Sequence, residues 1–298
     1  MRMTNRAPVA IALAALSIAS WSSRAIAGEQ GQPAGEAAPA ESTESDSAAS
    51  NPLAPQAEAG GERAVYDHIV ALKTRVENDT RVATAFFVAD GDANATRDAN
   101  AGGDVFLVTA KHAADETTAR TRVLYRAPNG DSRWIELRGL FPGGRSPWVP
   151  YGSVDVAVAR VDPPRESDDR EGPLAMARRL ALPLDSLATE PPPRGTPLEA
   201  VGYPVGLGAD PPISSLVMHA RTASRVVWRD GGWSRIPTLY AFPAIGAGTS
   251  GGPAFHAETG QLVGMVRGVT FDNTGGKLSE LVPAFAIRAA IAEAATAR

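Results

Sequence analysis

"GAGTSGGPAF", Gly246 to Phe255, sets a single serine among glycines immediately ahead of a short apolar run. Glycines on both sides of a hydroxyl residue make a sharp turn, and such a turn is either loop chemistry alone or the mount of a nucleophile. A serine hydroxyl attacks poorly at neutral pH, so the second reading requires a base, an acid to orient the base, and donors for an oxyanion. Those groups have to come from other parts of the chain.

Of the four histidines, His68 lies in a stretch with helical spacing, His219 inside a strand-like run and His256 just after the serine turn. These three read as surface or packing residues. His112 stands apart. It follows "FLVTAKH", where an apolar run ends in Thr109 and Ala110 and releases the chain into "HAADE", so a strand end would hold the imidazole rigidly in a cleft. For the acid, "YGSVDVAVARV" carries Asp155 at the head of an otherwise apolar strand. A carboxylate in such a run is costly unless something pairs with it, and an imidazole is a suitable partner.

Around these residues the chain is a series of short runs rich in β-branched and aromatic residues. "RVATAFFVAD" (81–90), "DVFLVTA" (104–110), "TRVLYRA" (121–127), "RWIELRGLF" (133–141) and "VDVAVARVD" (154–162) precede a proline-rich, polar stretch. "PLEAVGYPV" (197–205), "SSLVMHARTASRVVW" (214–228), "TLYAFPA" (238–244), "GPAFHA" (252–257) and "GQLVGMVRGVTF" (260–271) follow it. With 29 Gly and 24 Pro as punctuation, evenly spaced strands without alternating helices favour an all-β body of barrels or sandwiches. Two helices are expected at its ends. Ala64, Val65, Ile69, Leu72 and Val76 recur at helical spacing in "ERAVYDHIVALKTRVENDT", and "VPAFAIRAAIAEAATA" places Phe285, Ile287, Ala290, Ile291 and Ala294 on one side.

"TAKH", "DVAVARV" and "GTSGGP", in that order, resemble the three catalytic blocks of trypsin-like serine proteases of the chymotrypsin fold. "ATAFFV" is similar to the family's early "GTGFFV" strand, and "AVGYP" to the opening strand of its second barrel in bacterial members. The resemblance implies two packed antiparallel β-barrels: a first barrel with its N-terminal helix over 62–165, a crossover over 166–193, and a second barrel with a C-terminal helix over 194–298. It also implies roles. Ser250 would attack a scissile carbonyl, His112 would take its proton and pass it to the leaving amine, and Asp155 would orient His112. The backbone N–H groups of Gly248 and Ser250 would form the oxyanion hole. Ala244, Val266, Arg267 and Gly268 would border the substrate, which would be a polypeptide.

The sequence departs from the family at two of these places. Thr249 stands where trypsin has an aspartate that receives a new amino terminus, and no "IVGG"-like start is present, so that activation switch is expected to be absent. Arg267 falls where the family has a small residue; a solvated or structural arginine is the expectation, with a preference for acidic side chains as the alternative. A protease-like scaffold without turnover, and an esterase, remain open as rival readings. No peptide-binding PDZ module is expected after the protease region.

The first 27 residues read as a secretory signal peptide, with Arg2 and Arg6, the apolar run "APVAIALAALSIAS" (7–20), too short to span a membrane, and "AIA" (25–27) as the cleavage site. Residues 28–61 hold Glu29, Glu36, Glu41, Glu44, Asp46 and Glu58 and no Lys or Arg, with one Leu and no aromatic residue, which is the composition of a disordered acidic linker. The acidic excess behind the overall charge of -4 therefore belongs to that tail, and the nearly neutral body has no basic footprint for nucleic acid. Absence of cysteine rules out disulfides and a lipidated cysteine, and fits a bacterial periplasm or exterior. No cofactor or metal is indicated, because no histidines are paired at ligand spacing.

Overall fold

The chain enters through a 3₁₀ turn, Ala64–His68, and passes directly into strand β1, Ile69–Val76. The helix expected at this end is thus confined to one short turn, and most of the residues with helical spacing lie on a strand. Double burial explains the difference. Ile69 and Ala71 face one hydrophobic core while Val70 and Leu72 face another, and a strand that is apolar on both sides loses the period of two that marks a strand in sequence. This computed structural model describes residues 64–77, 79–91, 103–143, 146–162, 172–231 and 234–297, so the expected signal peptide and acidic linker lie outside the described residues.

Strand β2, Asp79–Ala89, pairs with the whole of β1, from Ile69 opposite Phe86 to Val76 opposite Asp79. Strand β3, Val105–Thr109, runs into the short helix α1, Lys111–Asp115. A hairpin follows, β4 (Arg122–Arg126) and β5 (Ser132–Glu136), turning at Gly130 with φ 83° as "NGD" requires, and then helix α2, Leu137–Leu140. Strands β6 (Val149–Pro150) and β7 (Ala157–Arg160) complete the half. The expected crossover is more than loop: helix α3, Pro173–Leu180, buries Met176, Ala177 and Leu180, and β8, Ala181–Pro183, pairs in parallel with β2. The order of this sheet is β5-β4-β1-β2-β3-β7-β6, with β8 beside β2.

The second half contains β9 (Pro197–Gly202), β10 (Leu216–Thr222), β11 (Val227–Asp230), β12 (Arg235–Phe242), β13 (Pro253–His256), β14 (Leu262–Phe271) and β15 (Lys277–Pro283). Ladders run β10-β9-β13-β14-β15-β12, and a further pairing of β10 with β12 closes these six strands into a barrel; β11 hangs on β12 outside it. "SSLVMHARTASRVVW" thus divides into two strands, and β15 is one that the sequence did not announce, because Ser279 and Glu280 interrupt its apolar run. The C-terminal helix α4, Ala284–Thr296, buries Ala284, Ala286, Ile287, Ala290, Ile291 and Ala294, leaving Phe285 half-buried.

One core joins the two sheets: Phe86 and Phe106 from the first meet Leu198, Val201, Phe255, Met265 and Leu281 from the second, together with Ile287 of α4. Burial on this scale, at roughly 25 cal/mol per Å² of apolar surface, is what holds two sheets face to face. The seam between them is where the serine turn and the ends of β3 and β7 lie.

Candidate active site

Strands β3 and β7 are antiparallel neighbours, with Thr109 opposite Ala157. Just beyond that pair the chain leaves β3 through Ala110 into α1, whose second residue is His112, and enters β7 through the turn Tyr151–Val156, which holds Asp155. Adjacent strand ends therefore bring the two residues together. Asp155 Oδ2 lies 2.8 Å from His112 Nδ1, and its Oδ1 accepts the His112 backbone N–H at 3.0 Å. Two contacts fix both the carboxylate and the ring.

Each group changes the other's acidity. The hydrogen bond to Asp155 is the largest influence on His112; burial opposes it, the charges of Asp155, Glu116 and Asp115 add to it, and the imidazole is held above its ordinary value of 6.5. Burial by itself would push the Asp155 carboxyl up, but the hydrogen bond and charge of His112, its amide and the Arg267 charge outweigh burial, so the carboxyl lies below its ordinary value.

The serine turn is held from three sides. Val266 N–H donates to Gly252 O and Gly251 N–H to Val266 O, both at 2.8 Å, tying the turn to β14. Thr249 is fully buried and its hydroxyl donates to Gly246 O. Thr84 of β2 reaches across from the first sheet: its N–H donates to Ser250 O at 3.0 Å and its hydroxyl to Gly248 O at 3.2 Å. Gly251 has φ 86°, and the space a β-carbon would need there is filled by Thr84 O, Thr109 Oγ1 and Ala110 N. Ala110 is the residue from which α1 starts, so Ser250 adjoins the backbone that carries His112. No hydrogen bond joins Ser250 Oγ to His112 among the described residues.

A trans peptide points its C=O and N–H in opposite directions. Ala247 O accepts Val205 N–H at 2.6 Å, and Thr249 O accepts Gly252 N–H at 2.7 Å. The amides of Gly248 and Ser250 share those two peptide planes, so both are turned away from these anchors, and neither donates to another group among the described residues. Gly248, at φ 91°, could not be replaced freely: a β-carbon would lie 2.6 Å from Val205 N and 2.9 Å from Tyr203 O.

The residues expected along the substrate divide. Val266 is 2% exposed and spends its N–H and C=O on the serine turn, so it supports the turn rather than offering a free edge. From Gly268 to Phe271, β14 pairs with β15 on one side, and no strand pairs with its other side among the described residues. Ala244 is half-buried, next to Ile245, whose N–H donates to Ser279 Oγ at 2.6 Å. Arg267 is the extra residue of a bulge between Val266 and Gly268. Its guanidinium binds Glu280 Oε2 through Nε at 2.9 Å and Nη2 at 2.5 Å, while Arg229 takes Glu280 Oε1. The charge of Arg267 is thus already paired. Thr84 and Glu280 escaped the sequence analysis, although each is a polar residue in an apolar strand run, the same signal that exposed Asp155.

The family model of the trypsin-like peptidase domain matches residues 72–265, a span that contains the His112–Asp155 pair, the serine turn and most of both sheets, with β15 outside it. The chain belongs to the trypsin-like peptidase domain family. Solved structures agree on the chymotrypsin-type fold of this peptidase domain. The MamO protease domain of Magnetospirillum magneticum, in its apo form, is 17% identical with a TM-score of 0.51, over 76% of this chain and 97% of that one. The Rv3671c protease of M. tuberculosis, in its active form, is 18% identical with a TM-score of 0.51, over 79% of this chain and 84% of that one. No curated protein matches the chain. In this peptidase domain no three His, Asp or Glu side chains are grouped as metal ligands among the described residues, and no helix there is long and apolar enough to cross a membrane.

Proposed function

We propose that the protein is an exported serine endopeptidase that works through an acyl-enzyme. Ser250 Oγ attacks the scissile carbonyl while its proton passes to His112 Nε2; the C–N bond then breaks as His112 returns that proton to the leaving amine, and water repeats the cycle on the ester. Asp155 holds the Nδ1–H of His112 and stabilises the imidazolium, and the free amides of Gly248 and Ser250 receive the oxyanion. The doubly bonded His112–Asp155 pair, beside a serine turn with two outward amides, is the observation that carries this reading. The open edge of β14 at Gly268–Phe271 favours an extended polypeptide as substrate, since a strand edge offers main-chain hydrogen bonds. Cleavage of a leader before Gly28, readable by intact mass of the secreted protein, goes with it.

A protease-like scaffold without turnover is the second reading, favoured by the missing hydrogen bond between Ser250 and His112. Such bonds are often long before substrate binds. A fluorophosphonate probe separates the two: labelling of the wild-type protein that vanishes in Ser250→Ala and His112→Ala is the expected result. Folded wild-type protein that stays unlabelled across neutral pH establishes the scaffold instead. A peptide library run alongside an ester substrate reads out whether amide bonds are the true target.

A further inference from the structure

Val205 has φ 45° and ψ 27°. That is the left-handed region, where a β-branched side chain crowds its own backbone, and where glycine or asparagine is at ease. Strain of this kind persists only where the surroundings impose it, and it gathers at functional sites. Packing of the side chain is not what imposes it here, because Val205 is 74% exposed. The backbone is engaged instead. Val205 N–H donates to Ala247 O at 2.6 Å, the bond that turns the Gly248 amide outward.

The turn that bends Val205 is itself firmly founded. Gly206 N–H donates to Tyr203 O at 3.0 Å and Leu207 N–H to Pro204 O at 2.9 Å. Tyr203 is buried, its hydroxyl donates to Ile69 O at 2.9 Å, and its N–H donates to Thr84 Oγ1 at 3.2 Å, the same hydroxyl that donates to Gly248 O. Both sheets thus brace the loop that carries Val205, and the loop lies so close to Gly248 that no side chain fits between them.

We propose that Val205 is a positioning residue for the oxyanion site: its left-handed backbone aims its N–H at the Ala247 carbonyl and so sets the direction of the Gly248 amide. Relaxation of Val205 to an extended conformation withdraws that N–H, frees the Ala247–Gly248 peptide to rotate, and unmakes the site. The strain is a bias toward the unmade state, held in check by the Tyr203–Leu207 turn. This role rests on the peptidase reading given above.

Three variants test it. Val205→Pro has no N–H and cannot take a positive φ. Its kcat is expected to fall about 100- to 1000-fold, the loss associated with one oxyanion donor, with KM little changed. A peptide aldehyde, which forms a tetrahedral adduct with Ser250, should weaken in parallel with kcat rather than with KM. Val205→Asn and Val205→Gly keep the N–H and relieve the strain, so both should retain wild-type kcat, and Val205→Asn, which lacks the unfolded-chain entropy that glycine adds, should melt about 2–4 °C higher. If Val205→Pro fails to fold, an α-hydroxy acid at position 205, which replaces only the N–H by an ester oxygen, delivers the same test. Wild-type reactivity in a folded Val205→Pro or ester protein overturns the role while leaving the peptidase intact, as does a loss of kcat in Val205→Asn and Val205→Gly. Wild-type protein that never reacts with the fluorophosphonate overturns the peptidase reading and this role together.

Discussion

Asp155 does its work by what it does to one ring. Its hydrogen bond is the largest influence holding His112 above 6.5, so the imidazole stays protonated to a higher pH than an ordinary histidine, and with it the inactive form of the base proposed above. Activity should therefore rise with pH along a limb displaced toward the alkaline side. Asp155→Asn removes that hydrogen-bonded charge. The limb of kcat/KM against pH should move to lower pH, and kcat should drop roughly 10⁴-fold, the scale observed when a triad aspartate becomes an amide. A pH-rate profile checks both; a limb that stays in place means another group sets the His112 pKa. Asp155 was legible in the sequence because a carboxylate in an apolar run demands a partner. Val205 was not, since its importance lies in a backbone angle that no composition or spacing encodes.

Strands, as elements, were readable where one face is wet and obscure where neither is. In β2 the buried stretch Ala85–Ala89 still shows as an apolar run bounded by turns, but β1 contributes alternate residues to two different cores and so mimics a helix in sequence. Strand β15 was hidden for the opposite reason. Ser279 and Glu280 interrupt it, and each proves to be engaged: Ser279 Oγ takes Ile245 N–H, and Glu280 stands between two arginines. Glu280 is 10% exposed at its side chain and Arg267 14%, so removing the acid leaves a desolvated cation without its counter-charge. Glu280→Ala should cost about 3–5 kcal/mol by urea denaturation, the usual penalty for breaking one side of a buried pair. Adding Arg267→Met to it should recover part of that loss, and a double variant no more stable than Glu280→Ala alone disproves the coupling.

Across the whole molecule the two halves of the site come from unequal frames. The ladder of the second sheet returns on itself through β10 and β12, whereas the first sheet ends on β5 and β6 with no further strand beyond either among the described residues. The family resemblance implied two packed antiparallel barrels, and the all-β body agrees; the sequence carries strand lengths and turn residues well, whereas the degree of closure of each sheet depends on shear and on which edges meet, and those are set by tertiary packing. The difference reaches the chemistry. The turn bearing Ser250 is suspended from six strands that close on themselves, and the imidazole and its carboxylate hang from a sheet that does not. Sub-global opening starts where amides lack a second neighbour. Deuterium should therefore enter β5 and β6 first and the β9–β13–β14 ladder last, and uptake in the reverse order would count against it. On the mechanism proposed above, a protein built this way would lose its base before its nucleophile under stress, and so go quiet before it comes apart.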